Sequence, residues 1–126
     1  MFPTVLQVAL GGAIGASARY GVGVAVVRLL GRMDFPLGVI TVNIVGSFLM
    51  GVFVTVAAQK GLTHWAPFLM TGMLGGFTTF SSFSLEAVTL YERGAVGQAG
   101  LYVALSVAVS IAALAAGLLF ARQAFA

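Results

Sequence analysis

The chain has 126 residues, of which 60% are hydrophobic and only 7% charged, with a formal net charge of +3. A soluble domain carries about 25% charged residues, so this chain cannot cover a water-facing surface and a bilayer is its natural solvent. Its six Lys and Arg form no run, which excludes a nucleic-acid footprint, and its lack of cysteine excludes a disulfide framework or a thiolate metal site.

The N-terminus, MFPTVLQVAL, has no Lys or Arg ahead of its apolar run. That is not a signal-peptide pattern, so the first segment is expected to stay in place as a membrane anchor. Charges and turn residues mark the boundaries that follow. A first span is predicted over 5–30, with Arg19 inside it, and a polar break follows at Arg28, Gly31, Arg32, Asp34 and Pro36. A second, free of charge, covers 37–58 and ends at Gln59, Lys60, Gly61 and His64. A third covers 66–91 and contains Glu86; a fourth covers 96–121 and is closed by Arg122. Each meets the roughly 20 apolar residues a spanning helix needs. Strand-like alternation is absent, so the expected fold is an all-α, single-domain, four-helix membrane protein rather than a barrel.

Four spans put both termini on one side. Lys60 and Arg122 then face Arg28, Arg32 and Arg93, two cations against three. So small a bias is either a weak topology signal or the mark of a chain that inserts both ways and pairs with an inverted copy of itself.

Polar groups inside a span are costly and point to function. Arg19, in GGAIGASARY, either snorkels to the interface or lines an anion-attracting vestibule. Asn43, in VNIVGSFLMG, shares a helical face with Ser47 and offers an interhelical hydrogen bond or an ion contact. In the fourth span Tyr102, Ser106 and Ser110 repeat every four residues, a stripe of hydroxyls on one face. Gly11 with Gly15, and Gly72 with Gly76, have the spacing that lets helices approach closely. Trp65, beside His64, reads as an interfacial belt residue.

The stretch GGFTTFSSFS, from Gly75 to Ser84, falls in the middle of the third span. Two glycines weaken a helix by about 1 kcal/mol each relative to Ala. An unwound turn is therefore expected over Gly75–Thr79, at a depth where bare backbone survives only in protein or beside a cavity. Broken helices at the midplane recur where ions bind, and freed carbonyls ligate cations. Phe80 and Phe83 offer ring edges, which are electropositive. With hydroxyls from Ser81 and Ser84 and the Asn43 amide, they suit a small monovalent anion, which full cations would hold too tightly to release.

In order and separation, GGAIGASARY, VNIVGSFLMG and GGFTTFSSFS resemble the Fluc/CrcB fluoride channels, and the resemblance extends over the whole chain. It implies an antiparallel, dual-topology homodimer in a bacterial inner membrane, with two fluoride pores and a sodium ion at the dimer centre. By the same resemblance Asn43 is the pore asparagine, and Phe80 and Phe83 the paired pore phenylalanines. Gly75 and Thr78 supply backbone carbonyls to the sodium. Arg19 is the basic residue near the vestibule, while Glu86, Tyr102, Ser106 and Ser110 form the polar path beyond the rings. Ser82 departs from the family's more frequent Thr but keeps the hydroxyl.

Two other readings compete. A small multidrug-type proton-coupled exporter needs an early embedded carboxylate, whereas the first span holds Arg19 and no acid. A non-transporting scaffold packed by glycines leaves the mid-span break and the hydroxyl stripe unexplained. No nucleophile–base pairing or metal constellation suggests an enzyme.

Overall fold

The computed structural model describes residues 3–31 and 35–125. Arg32 and Asp34, part of the first polar break, lie outside the described residues. Helix α1 runs Thr4–Leu30 and α2 Leu37–Lys60. A 3-10 turn, Thr63–Trp65, leads into a π-helical segment, Pro67–Leu74, and a single α-helical turn, α3, Gly75–Phe77. After a gap of two residues come α4, Phe80–Glu92, and α5, Val96–Ala124. Among the described residues there is no strand.

Three helices, α1, α2 and α5, are unbroken, long and apolar enough to cross a membrane. Even α2, at 24 residues, is about 36 Å long at 1.5 Å per residue, more than the roughly 30 Å of hydrocarbon. The third span is the interrupted one, and the interruption lets one span serve two neighbours. Its first half packs on α1, and its second half, α4, packs on α5, which in turn lies along α2. The core sits in this second group, where Ile40, Phe83, Leu90, Ala99 and Tyr102 are buried together.

Glycines allow both close crossings. A Cβ on Gly72 would lie 2.8 Å from the Val8 carbonyl oxygen and 3.0 Å from the Gly11 Cα, and one on Gly76 would lie 2.9 Å from the Gly12 oxygen. The two predicted glycine pairs therefore face each other, backbone to backbone. The second crossing, of α2 on α5, uses Gly51 and Gly117, whose Cβ atoms would meet the backbones of Leu118 and Val52 at 3.0 and 3.1 Å.

The break differs from the expectation of an unwound Gly75–Thr79. Gly75 is helical (φ −62°, ψ −37°), and the extended residues are Thr78 (φ −86°, ψ 160°) and Thr79 (φ −152°, ψ 126°). Gly76 leaves room for α1, whereas the β-branched threonines, which favour extended backbone, carry the interruption.

Candidate functional site

Three side chains from three different places stabilise the break. Asn43 of α2 grips Thr79 by both backbone groups: its Oδ1 accepts from the Thr79 N–H at 2.7 Å and its Nδ2 donates to the Thr79 carbonyl at 3.0 Å. Arg19 of α1 donates from Nε to the Gly76 carbonyl at 3.1 Å. Thr79 caps α4, its Oγ1 accepting from the Ser82 amide at 3.2 Å, the usual service of a Thr N-cap. Arg19 therefore spends one of its donors on backbone.

These bonds decide which carbonyls stay bare. In a continuous helix the Thr79 and Ser82 amides would bond to the carbonyls of Gly75 and Thr78, four residues back. The first amide goes to Asn43 and the second to the Thr79 hydroxyl. Gly75 and Thr78 are thereby left without their helical donors. Gly75 lies exposed on the surface of the chain. The Thr78 hydroxyl is no substitute, since it bonds back to the Leu74 carbonyl at 3.0 Å.

Beside the break lies a groove of about 380 Å³. Asn43, Ser47, Thr78, Thr79, Phe80, Phe83, Ser106 and Ser110 line it together with apolar residues, and none of its lining side chains is charged. Phe80 is 77% exposed within the chain and Phe83 only 8%. Their ring centroids are 5.4 Å apart at an interplanar angle of 52°. Phe83 in turn lies 5.4 Å from the ring of Tyr102, which makes a T-shaped contact with Phe35 at 5.5 Å. The rings thus form a continuous row from the exposed groove to the fully buried Tyr102.

The hydroxyl stripe is intact and unspent. Tyr102 OH, Ser106 Oγ and Ser110 Oγ are buried and have no hydrogen-bond partner within the chain. Threonines elsewhere bond back to the carbonyl four residues earlier, as Thr41, Thr55 and Thr89 do. A buried hydroxyl left unpaired costs about 1–3 kcal/mol, and this stripe carries three of them.

The remaining predicted residues stand apart from the groove. Ser81 is exposed, its Oγ 3.3 Å from Thr79 Oγ1. Ser84 is half-buried. Glu86 lines a different cavity, of about 580 Å³, with Arg19, Tyr20 and Arg28. Tyr102 reaches the groove only through its stacking on Phe83. Thr79 is the residue that sequence reasoning missed. A threonine directly ahead of a helical run could have flagged its cap, but its pairing with Asn43 spans 36 positions and leaves no local trace.

A family model described as CrcB-like protein, Camphor Resistance (CrcB), matches residues 6–118. The chain is 69% identical over 122 residues to the fluoride-specific ion channel FluC of Ruegeria sp. (strain TM1040), covering 97% of each. It is 63% identical to the FluC of Cereibacter sphaeroides, again over 97% of each chain. With the FluC of Paracoccus denitrificans the identity is 54%, over 98% of both chains. The match takes in α1, α2 and the whole interrupted span, and this chain is a multi-pass membrane protein belonging to the CrcB family.

Proposed function

We propose that the chain forms a passive, fluoride-selective channel through which cytoplasmic fluoride leaves a bacterial cell, and that two copies assemble antiparallel in the inner membrane. The observation that carries this is the groove. It combines two phenylalanine rings, an asparagine amide and orphaned serine hydroxyls with no charged side chain. The names of the relatives, all fluoride-specific ion channels, agree with it.

A small anion entering the groove must exchange its hydration shell for protein donors. The Phe80 and Phe83 edges, the free N–H of Asn43 and the Ser106 and Ser110 hydroxyls supply them, and Tyr102 continues the row. Neutral donors hold an anion loosely enough for it to leave, where a lysine or arginine in the groove would trap it. Fluoride enters cells as the neutral acid HF and dissociates in a more neutral cytoplasm, so a downhill leak is sufficient and no coupling is required.

A structural sodium ion fits the same chain. The Gly75 and Thr78 carbonyls lack helical donors, and Gly75 faces outward. Two antiparallel copies would bring four such oxygens together, a neutral set that suits a monovalent ion better than a divalent one, which recruits carboxylates. Bound there, the ion would satisfy the bare carbonyls and tie the copies together beside the anion groove, which Thr78 also lines.

Purified protein reconstituted into liposomes loaded with fluoride or chloride tests the function. Fluoride is expected to drain rapidly and chloride to stay. Equal rates would remove the selectivity, and retention of both would remove the channel.

A further inference from the structure

We infer that Asn43 is a positioning residue for the cation: it keeps the Gly75 carbonyl open by holding the Thr79 amide away from it. The inference rests on the sodium reading above. It starts from a competition. The Thr79 N–H has two possible acceptors, the Gly75 carbonyl four residues back in its own span and the Asn43 Oδ1 from α2. Gly75 is already helical at φ −62° and ψ −37°, so only Thr78 and Thr79 would need to rotate for the helix to close. Against that closure Asn43 makes two bonds rather than one, at 2.7 Å and 3.0 Å, and grips both the amide and the carbonyl of Thr79. This is the bonding a neighbouring strand would supply, and it matches the extended Thr79 conformation (φ −152°, ψ 126°).

Arg19 completes the allocation from the other side. By donating to the Gly76 carbonyl at 3.1 Å, it occupies the oxygen next to Gly75. Two helices thus divide the break between them: α1 fills one carbonyl and α2 clears the other. Asn43 also lines the anion groove, and its second Nδ2 hydrogen remains available there. One side chain therefore joins the anion groove to the cation carbonyls.

Sodium titration of the purified full-length protein in detergent tests this, with dimer fraction and thermal midpoint as readouts and a large organic cation replacing sodium. Asn43→Leu fills similar space but accepts nothing. Residues that orient metal ligands cost roughly 10–100-fold in affinity when removed, so its sodium requirement is expected to rise by that much. Asn43→Asp keeps the acceptor for the Thr79 amide and, protonated in this apolar setting, donates its O–H to the Thr79 carbonyl while losing the second amide hydrogen, so it should titrate near the unmodified protein. Fluoride flux is expected to fall in both variants, because both lose the amide donor, and so cannot separate them. An Asn43→Leu protein that titrates at the unmodified sodium concentration overturns the inference while leaving the cation site standing. Should Asn43→Leu fail to dimerise at any sodium concentration, Asn43→Asp decides: an unshifted midpoint supports the role, and a rise of roughly 10-fold or more removes it. An unmodified protein indifferent to sodium overturns the cation site itself, and this role with it.

Discussion

Phe80 and Phe83 sit three residues apart in one helix, yet their environments differ. Phe83 belongs to the core, 8% exposed and stacked on Tyr102; Phe80 presents most of its surface outside the chain. The two substitutions Phe80→Ile and Phe83→Ile keep apolar bulk and remove the electropositive ring edge. In Phe83→Ile some loss of activity could come from repacking, which costs under about 1.5 kcal/mol for a hydrophobic swap of conserved volume. Within the chain Phe80→Ile carries almost no such penalty and is the cleaner probe. A hydrogen-bond-like contact to a charged group contributes about 1.5–3 kcal/mol. Fluoride efflux from liposomes is therefore expected to fall roughly 10- to 100-fold in each variant, with the dimer retained on size-exclusion chromatography. Undiminished flux in both would return the rings to a packing role. The hydroxyls differ in kind from the rings. Ser106 and Ser110 have carbonyls within their own helix to bond with, as Thr55 and Thr89 do, and leave them unused.

Between elements, backbone meets backbone wherever glycine permits it. Gly72 lies where any Cβ would press on the Val8 oxygen and the Gly11 Cα of α1. Gly72→Ala should separate α1 from the π-helical segment and cost on the order of 1–3 kcal/mol by overpacking. Gly97, near the start of α5, has open space where a methyl group would stand, with no neighbouring atom within 4 Å. Gly97→Ala should therefore be neutral or gain up to about 1 kcal/mol of helix propensity. Thermal midpoints in detergent should move in opposite directions, and equal shifts would defeat the packing account. The first crossing was legible because Gly11, Gly15, Gly72 and Gly76 carry their four-residue spacing in the sequence. Gly51 and Gly117 do the same work between α2 and α5 but have no glycine four residues away to announce them. The break was legible as an event and misplaced in detail. Local propensity pointed to Gly75 and Gly76, but the outcome was set by Asn43 competing from another helix, an interaction no window of sequence contains. The π-helical turns of Pro67–Leu74 have no local marker either, and they set the approach of that half-span to α1. Within the groove, residue types were readable and neighbourhoods were not. Asn43, Phe80, Phe83, Ser106 and Ser110 converge, while Glu86 shares a separate cavity with Arg19.

At the scale of the whole molecule, the proposed antiparallel assembly bears on features that one chain leaves open. Its groove is open, Phe80 is largely exposed, and Gly75, whose carbonyl lacks its helical donor, is an exposed residue. An inverted second copy would cover these features, and assembling one requires that the chain insert in both orientations. The charges permit this. Arg28 closes α1 and Lys60 closes α2, Arg93 follows α4, and Arg122 lies in the last turn of α5. Two cations thus stand against three, counting Arg32 from the sequence. Orientation follows the Lys and Arg content near span ends, and so even a count is compatible with insertion both ways. Tags on the termini of the unmodified protein should accordingly be reachable from both sides of the membrane. Adding two or three lysines next to Arg122 should fix the termini on the cytoplasmic side. Each copy would then lack an inverted neighbour, and fluoride efflux from cells should be lost although the chain still folds and inserts. Co-expression with a second variant, carrying the extra lysines beside Arg93 instead, should restore efflux, because the two biased forms supply one copy of each orientation. Efflux that survives the first variant alone, or a tag reachable from one side only in the unmodified protein, would rule out antiparallel assembly and require the groove to be closed by a parallel copy.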